Sequence, residues 1–202
     1  MSESNHAKTK LGLELPTDPR WVNLAEKSLE EILTDHAYCE QKAATSCISL
    51  IQQYPERDML VEELAPVVTE EWGHFRLVIA ELKKRELKLG RQRKDEYVNA
   101  LLKFQQKGGT RDDRLLEKLL TCALIEARSC ERFRLLSLHM KEEELRKFYH
   151  HFMVSEAGHY KLFLRLCHEY FGQERTRNRW KEYLAYEADV MKEMTPSGDR
   201  MH

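Results

Sequence analysis

Apolar residues recur along most of this chain at intervals of three and four positions, the period of an amphipathic α-helix. No segment shows the apolar–polar alternation of a half-buried β-strand. The pattern therefore predicts an all-α fold. The predicted helices cover approximately residues 21–53, 58–89, 95–106, 112–139, 141–171 and 177–192.

Proline and glycine mark most of the predicted helix ends. Tyr54-Pro55, Gly90 and Gly172 each follow a long segment with helical periodicity. Pro66 lies inside the second predicted helix, where its ring and missing N–H predict a kink or a restart. The break near Met140 has neither residue and is inferred from the symmetry of the two halves described below.

The length of the chain, 202 residues, suits one domain with a sizeable core. We interpret residues 1–202 as a single domain. It includes an N-terminal arm at residues 1–19 and a flexible tail at residues 195–202, where Pro196 and Gly198 disfavour a further helix.

Charge and hydropathy narrow the possible partners. Lys+Arg number 33 and Asp+Glu 34, so any surface that binds a polyanion must be local. No run approaches the roughly 18 apolar residues that span a bilayer, and the polar N-terminus lacks the apolar centre of a signal peptide. We expect a soluble, cytoplasmic protein without membrane contact.

Six residues that can bind metal ions form two matching sets. In each set a lone glutamate precedes a Glu-x-x-His pair, by 31 residues in one set and 30 in the other. The sets are Glu40 with Glu71 and His74, and Glu126 with Glu156 and His159. Chance predicts about one Glu-x-x-His pair from 26 glutamates and 9 histidines in 202 residues, and a third pair, Glu3 with His6, is interpreted as that accident.

The spacing predicts that the two glutamates of each set lie level in an antiparallel helix pair. The midpoint of Glu40 and Glu71 falls at Pro55-Glu56, and that of Glu126 and Glu156 falls at position 141. Each midpoint coincides with a predicted turn. At 1.5 Å per residue, both pairs lie roughly 20 Å from their turns, in the middle of the helices.

The six residues also lie on apolar helix faces without lysine or arginine. A buried carboxylate costs several kcal/mol unless it is neutralised, which favours metal ions as the counter-charge over a surface salt-bridge face. Residues i and i+3 share a helix face, so each Glu-x-x-His pair can serve one ion. The complete set matches dinuclear carboxylate sites of helical bundles, with Glu71 and Glu156 as bridges and Glu40 and Glu126 as terminal ligands.

Several further observations bear on this site. Oxygen ligands with one imidazole per ion suit iron or manganese. Gly73 and Gly158 precede the two histidines, which indicates close helix approach, local distortion or ordinary small-residue packing. His36 lies one turn before Glu40, as a partner of that carboxylate or as a core histidine.

The connector between the two helix pairs, residues 90–111, is long enough to run the length of a bundle. It favours a ferritin-like four-helix bundle with a long crossover and additional helices over a simple up-down bundle.

Four segments carry a resemblance to a known family. DHAYCEQKAA around Glu40, EEWGHF, LIEARSCERF around Glu126 and VSEAGHY resemble the bacterial tRNA 2-methylthio-N6-isopentenyladenosine hydroxylases, over about residues 21–171. The resemblance implies a ferritin-like fold with two iron ions bound by Glu40, Glu71, His74, Glu126, Glu156 and His159. It further implies hydroxylation, with O₂ and an external electron donor, of the isopentenyl group on the adenosine next to the anticodon of tRNA.

An RNA substrate requires local positive charge, because phosphate contacts dominate nucleic-acid affinity. The segment KKRELKLGRQRK provides seven basic residues against one acid. These candidate RNA contacts are Lys83, Lys84, Arg85, Lys88, Arg91, Arg93 and Lys94. A solvated face without a partner is the alternative.

Two other interpretations remain open. One is a different ferritin-like di-metal protein: a ferroxidase, a peroxidase or a manganese catalase. The other is a non-catalytic bundle, serving as a scaffold or RNA-binding module, in which the glutamates are structural.

Overall fold

The computed structural model describes residues 9, 11–195 and 197–201. This part of the chain contains seven α-helices and no strand, which confirms the all-α prediction. The helices are α1 (Trp21–Lys27), α2 (Leu29–Gln53), α3 (Asp58–Lys84), α4 (Glu96–Phe104), α5 (Arg111–His139), α6 (Glu143–Phe171) and α7 (Gln173–Glu193). None of these described helices is both long and apolar enough to cross a membrane.

The helices fall into two compact units. One unit contains α1, α2 and α3 together with residues 197–201, and we call it the α2–α3 unit. The other contains α4 to α7 together with the segment before α1, and we call it the α5–α6 unit. The interpretation of residues 1–202 as one domain stays a prediction.

Helices α2 and α3 form an antiparallel hairpin. Its turn follows Tyr54, whose carbonyl accepts a hydrogen bond of 3.0 Å from the Arg57 N–H. At the other end, the Gly90 N–H donates to Thr34 Oγ1 at 3.2 Å, and Tyr38 Oη donates to the Gly90 carbonyl at 3.0 Å. The start of α2 therefore meets the end of α3, as the midpoint of Glu40 and Glu71 predicts.

The predicted helix over residues 21–53 is divided at Ser28, whose φ and ψ of −125° and 43° are not helical. The apolar period continues through this break: Trp21 and Ala25 before it and Ile32 and Leu33 after it are all buried. Periodicity alone therefore could not reveal a break of one residue.

Helix α3 differs from its prediction at two places. It is continuous through Pro66, so the predicted restart is wrong and the alternative, a kink, stays a prediction. It ends at Lys84 rather than Leu89, because Glu86 adopts a left-handed φ of 57°. The Leu87 N–H then donates to the Leu82 carbonyl at 2.9 Å, the bond of a Schellman C-cap. Glycine usually occupies the left-handed position, so a glutamate there gives no stop signal in the sequence.

Helices α5 and α6 form the second antiparallel hairpin. Phe133 of α5 packs against Tyr149 and Phe152 of α6, with ring centroids 5.8 Å and 5.5 Å away. The break near Met140 is confirmed, and the Arg146 side chain closes it by donating to the Met140 carbonyl at 2.8 Å. A side-chain hydrogen bond from the next helix thus stabilises this turn, which contains no glycine or proline.

Arg128 of α5 joins three parts of the α5–α6 unit. Its guanidinium is fully buried and donates to Glu187 Oε1 of α7 at 2.7 Å. It also donates to Thr17 Oγ1 at 3.0 Å and to the Leu15 carbonyl at 2.9 Å, and it pairs with Glu131. The segment before α1 is thereby fixed to α5 by charged hydrogen bonds.

Glu117 has a similar role near the start of α5. Its carboxylate accepts hydrogen bonds from Arg179 Nε at 2.7 Å, Tyr183 Oη at 2.8 Å and the Gln106 N–H at 3.0 Å. These bonds attach α7 and the end of the connector to α5. Although burial opposes ionisation, the Arg179 guanidinium and the other donors hold the pKa of Glu117 below its usual value.

The described part of the C-terminal tail has defined partners. The Met201 N–H donates to Asp35 Oδ2 at 2.8 Å, and Arg200 Nη1 donates to Asp35 Oδ1 at 3.1 Å. Met201 itself is buried, and Asp199 pairs with Arg93. These residues therefore satisfy a buried carboxylate near the start of α2, and the flexibility of the tail stays a prediction.

We predict that Arg128→Met lowers the free energy of unfolding of the metal-free protein by about 3–5 kcal/mol. The substitution leaves Glu131 and Glu187 buried without their shared cation. Urea unfolding followed by circular dichroism measures the change. Arg134→Met, on the exposed side of the same helix, is the matched control and should change stability by less than about 0.5 kcal/mol. Equal effects of the two substitutions would contradict a stabilising role for the Arg128 contacts.

Candidate metal centre

The α2–α3 unit brings together the first predicted set. Glu40 comes from α2, and Glu71 and His74 come from α3. All three are almost completely buried, and one ligand atom from each lies within 4.8 Å of the others. We call these three residues the first triad.

Apolar packing on α3 aims the pair of side chains inward. Leu64, Val67, Val78 and Leu82 occupy the same helix face as Glu71 and His74, and all four are buried. Because positions three and four apart share a face, burying this stripe also buries the carboxylate and the imidazole.

The first triad contains two carboxylates but only one side chain, His74, that can carry positive charge. His74 Nδ1 lies 3.3 Å from Glu40 Oε2 and 3.3 Å from Glu71 Oε2. Burial by itself lowers the pKa of His74, but the hydrogen bonds to both carboxylates outweigh it and raise the pKa to about 10. Burial and then the charge of Glu71 raise the pKa of Glu40 well above its usual range. Without a metal ion, a proton on the imidazole is the nearby counter-charge for the two acids.

His36 contacts the same site, as one of its two sequence interpretations predicts. Its Nε2 lies 2.6 Å from Glu40 Oε1, and its side chain is fully buried. Burial lowers the pKa of His36 to about 3, so the ring is neutral and shares a hydrogen bond between its Nε2 and Glu40 Oε1. This bond fixes one oxygen of Glu40, while the other faces His74.

The α5–α6 unit brings together the second predicted set. Glu126 comes from α5, and Glu156 and His159 come from α6. Each is at most 6% exposed, and one ligand atom from each lies within 4.8 Å of the others. His159 Nδ1 lies 3.9 Å from Glu156 Oε2. We call these residues the second triad.

Two cysteines flank Glu126 on α5, one turn before it and one turn after it. Burial, followed by the charge of Glu126, raises the pKa of Cys122 to about 12 and that of Cys130 to about 11. Both side chains are therefore neutral thiols near pH 7. A thiol binds metal ions as the thiolate, so the carboxylates and the imidazole are the better donors here.

Each triad fits a divalent metal ion. With a neutral imidazole, its two carboxylates carry two negative charges, which one divalent cation balances. Oxygen donors with a single nitrogen are typical of iron and manganese sites, whereas copper and zinc sites are richer in nitrogen or sulfur.

The structure separates the explanations offered for Gly73 and Gly158. A Cβ added at either position would meet no atom of a described residue within 4 Å, apart from the helix's own backbone. Close helix approach is therefore wrong as the reason for these glycines.

The basic segment divides into two groups. Arg85 pairs with Glu81 at 2.6 Å, and Arg93 pairs with Asp199 and donates to the Glu31 carbonyl at 3.3 Å. The remaining members are exposed at the end of α3 and after it: Lys83, Lys84, Lys88, Arg91 and Lys94. Arg85 and Arg93 therefore have a structural role. The five exposed residues, which we call the exposed basic group, remain predicted RNA contacts.

Comparisons with known proteins agree with the geometry. The model of the family described as tRNA-(MS[2]IO[6]A)-hydroxylase (MiaE) matches residues 5–202. A Pseudomonas putida protein named tRNA 2-(methylsulfanyl)-N(6)-isopentenyladenosine(37) hydroxylase is 36% identical over 158 residues, 78% of this chain and 76% of that protein. A Salmonella typhimurium protein of the same name is 27% identical over an alignment of 229 positions, 89% of this chain and 83% of that protein.

A solved structure supports the fold. It is described as Protein 43 with aldehyde deformylating oxygenase activity from Synechococcus, and it is 34% identical with a TM-score of 0.88. The match covers 94% of each chain. The ferritin-like fold class predicted from the sequence is confirmed. Because the family model spans nearly the whole chain, this protein belongs to the tRNA-(MS[2]IO[6]A)-hydroxylase family.

Proposed function

We propose that this protein hydroxylates the isopentenyl group of 2-methylthio-N6-isopentenyladenosine next to the anticodon of tRNA, using O₂ and electrons from an external donor. The observation that carries the proposal is the burial of both triads, whose residues lie in the segments that resemble the hydroxylase family. Both curated relatives carry the name of this hydroxylase.

The proposed cofactor is a pair of iron ions held by the two triads together. Six residues would bind the ions: Glu40, Glu71, His74, Glu126, Glu156 and His159. Glu71 and Glu156 would bridge, and Glu40 and Glu126 would be terminal. The equal composition of the triads supports one ion for each, and their four carboxylates balance two divalent cations. The family resemblance favours iron over manganese.

Such a metal pair supplies the oxygen chemistry that an unactivated C–H bond requires, because acid–base side chains cannot provide it. The residues of this chain orient the donors and exclude water. His36 holds one oxygen of Glu40 at 2.6 Å, so this carboxylate is oriented before any ion binds. The buried side chains beside each triad provide an apolar environment, which suits a prenyl group better than a polar one.

The Synechococcus structure motivates a second candidate function. Its description names an aldehyde deformylating oxygenase activity, and its likeness to this chain is high across 94% of both. An oxygenase of this fold could therefore act on an apolar aldehyde. The family match favours tRNA as the substrate. The exposed basic residues favour it too, because an uncharged aldehyde requires no basic surface.

We predict that Glu71→Gln or Glu156→Gln lowers bound iron from two ions per chain to one or fewer. An amide lacks the charge of the carboxylate and cannot bridge two ions. Metal analysis after anaerobic reconstitution gives the content, and an optical spectrum reports an oxo-bridged diferric pair. Glu62→Gln, at an exposed position of α3, should keep both ions. Full occupancy in the two buried variants would reject the proposed ligand set.

Analysis of tRNA tests the reaction itself. We predict that cells without this protein lose the hydroxylated nucleoside and accumulate its unhydroxylated precursor, which mass spectrometry of digested tRNA measures. Complementation with wild-type protein should restore hydroxylation, and complementation with Glu71→Gln should not. An unchanged nucleoside profile would favour the aldehyde oxygenase, ferroxidase, peroxidase or manganese catalase instead.

The exposed basic group provides a further prediction. Lys83→Glu combined with Arg91→Glu should weaken tRNA binding at least roughly tenfold, because each phosphate contact releases counterions. The salt dependence of log Kd should lose about two units of slope, one for each contact. The matched control is Lys103→Glu with Lys107→Glu, two exposed lysines of the connector. Equal binding by both double variants, with metal content intact, would reject this surface.

A further inference from the structure

Trp72 occupies an unusual position on α3. It lies between Glu71 and His74, which are 0% and 3% exposed, yet its own side chain is 47% exposed. Successive helix positions turn by about 100°, so Trp72 points away from the face that carries the first triad. It is the one aromatic residue among the exposed large apolar side chains of the described chain.

The indole is held in place by a neighbour. Phe75 stacks against it with ring centroids 4.9 Å apart and an interplanar angle of 21°. The two rings are therefore stacked with nearly parallel planes, and we call this pair the Trp72–Phe75 platform. Core packing does not account for it, because almost half of the indole is exposed to solvent.

Positive charge continues the same helix face. Arg76 and Lys83 lie four and eleven positions after Trp72, which places them within about 40° of it around the helix axis. Both side chains are exposed, and neither makes a hydrogen bond or ion pair with a described residue. The positions of this face from Ala65 to Lys83 contain no acidic residue. Lys83 is also the first member of the exposed basic group.

We propose that the Trp72–Phe75 platform stacks an unpaired base of the substrate RNA, with Arg76 and Lys83 contacting the adjoining phosphates. This rests on the proposed tRNA substrate and names where a nucleotide of its single-stranded loop binds. Unpaired bases stack on aromatic side chains in RNA recognition, and phosphates require nearby cations. A protein partner also favours an exposed tryptophan, but the exposed arginine and lysine beside a stacked ring pair complement a nucleotide better.

The test compares variants in binding to a fluorescent anticodon stem-loop. Trp72→Ala should weaken binding roughly tenfold, and Trp72→Phe should retain most of the affinity, because a phenyl ring still stacks. Leu77→Ala is the matched control, since Leu77 is 46% exposed on another side of the same helix. Its affinity should stay within twofold of wild type. Iron content of every variant reports folding and the integrity of the neighbouring triad.

A second arm varies the RNA and uses only the wild-type protein and Trp72→Ala. Stem-loops with a single abasic nucleotide, placed in turn at each loop position, are bound to the wild-type protein and to Trp72→Ala. One abasic position should weaken wild-type binding about as much as Trp72→Ala does, and the two changes together should add little. Fully additive losses at every position would overturn the platform.

The outcomes separate this inference from the proposed function. If wild-type protein hydroxylates the stem-loop and Trp72→Ala binds it equally well, the platform is wrong and the function stands. If Trp72→Ala instead changes the oligomeric mass or the rate of electron delivery while RNA affinity is unchanged, the surface binds protein and the proposal is overturned. If the wild-type protein neither binds nor hydroxylates the stem-loop, the proposed function itself fails.

Discussion

The buried carboxylates of the two triads impose the constraint on which the rest of this structure depends. Burial and mutual repulsion destabilise Glu40 beside Glu71, and His74 compensates only by holding a proton. A bound ligand can offset the free energy that is lost when such carboxylates are desolvated. Two carboxylates with one imidazole match a divalent cation. The apolar stripes of α2 and α3 then provide the stability that the triad itself lacks.

The other buried acids of the α5–α6 unit are neutralised by arginine. Glu117 contacts Arg179, and Glu131 and Glu187 share Arg128. These pairs attach α7, the connector and the segment before α1 to the central hairpin. Acids that arginine neutralises therefore connect the elements of this unit, whereas the acids of the triads lie near an imidazole and can bind a metal ion.

Much of this arrangement could be predicted from the sequence because it depends on periodicity and spacing. The level positions of Glu40 and Glu71 follow from a midpoint at Pro55-Glu56, and the structure brings their ligand atoms within 4.8 Å. What could not be predicted depends on the conformation or the hydrogen bonds of single residues. The left-handed Glu86, the break at Ser28 and the Arg146 bonds that close the turn after α5 have no residue type that signals them.

The anchoring of Asp35 has a consequence for how the protein is made. Asp35 directly precedes His36, and the Met201 N–H that it accepts belongs to a residue 166 positions later. During translation, α2 and α3 emerge early, but this hydrogen bond can form only once residue 201 has also left the ribosome. The surroundings of Glu40 are thus completed long after α2 and α3 are made, so that a nascent chain without residue 201 lacks part of the support for its carboxylates.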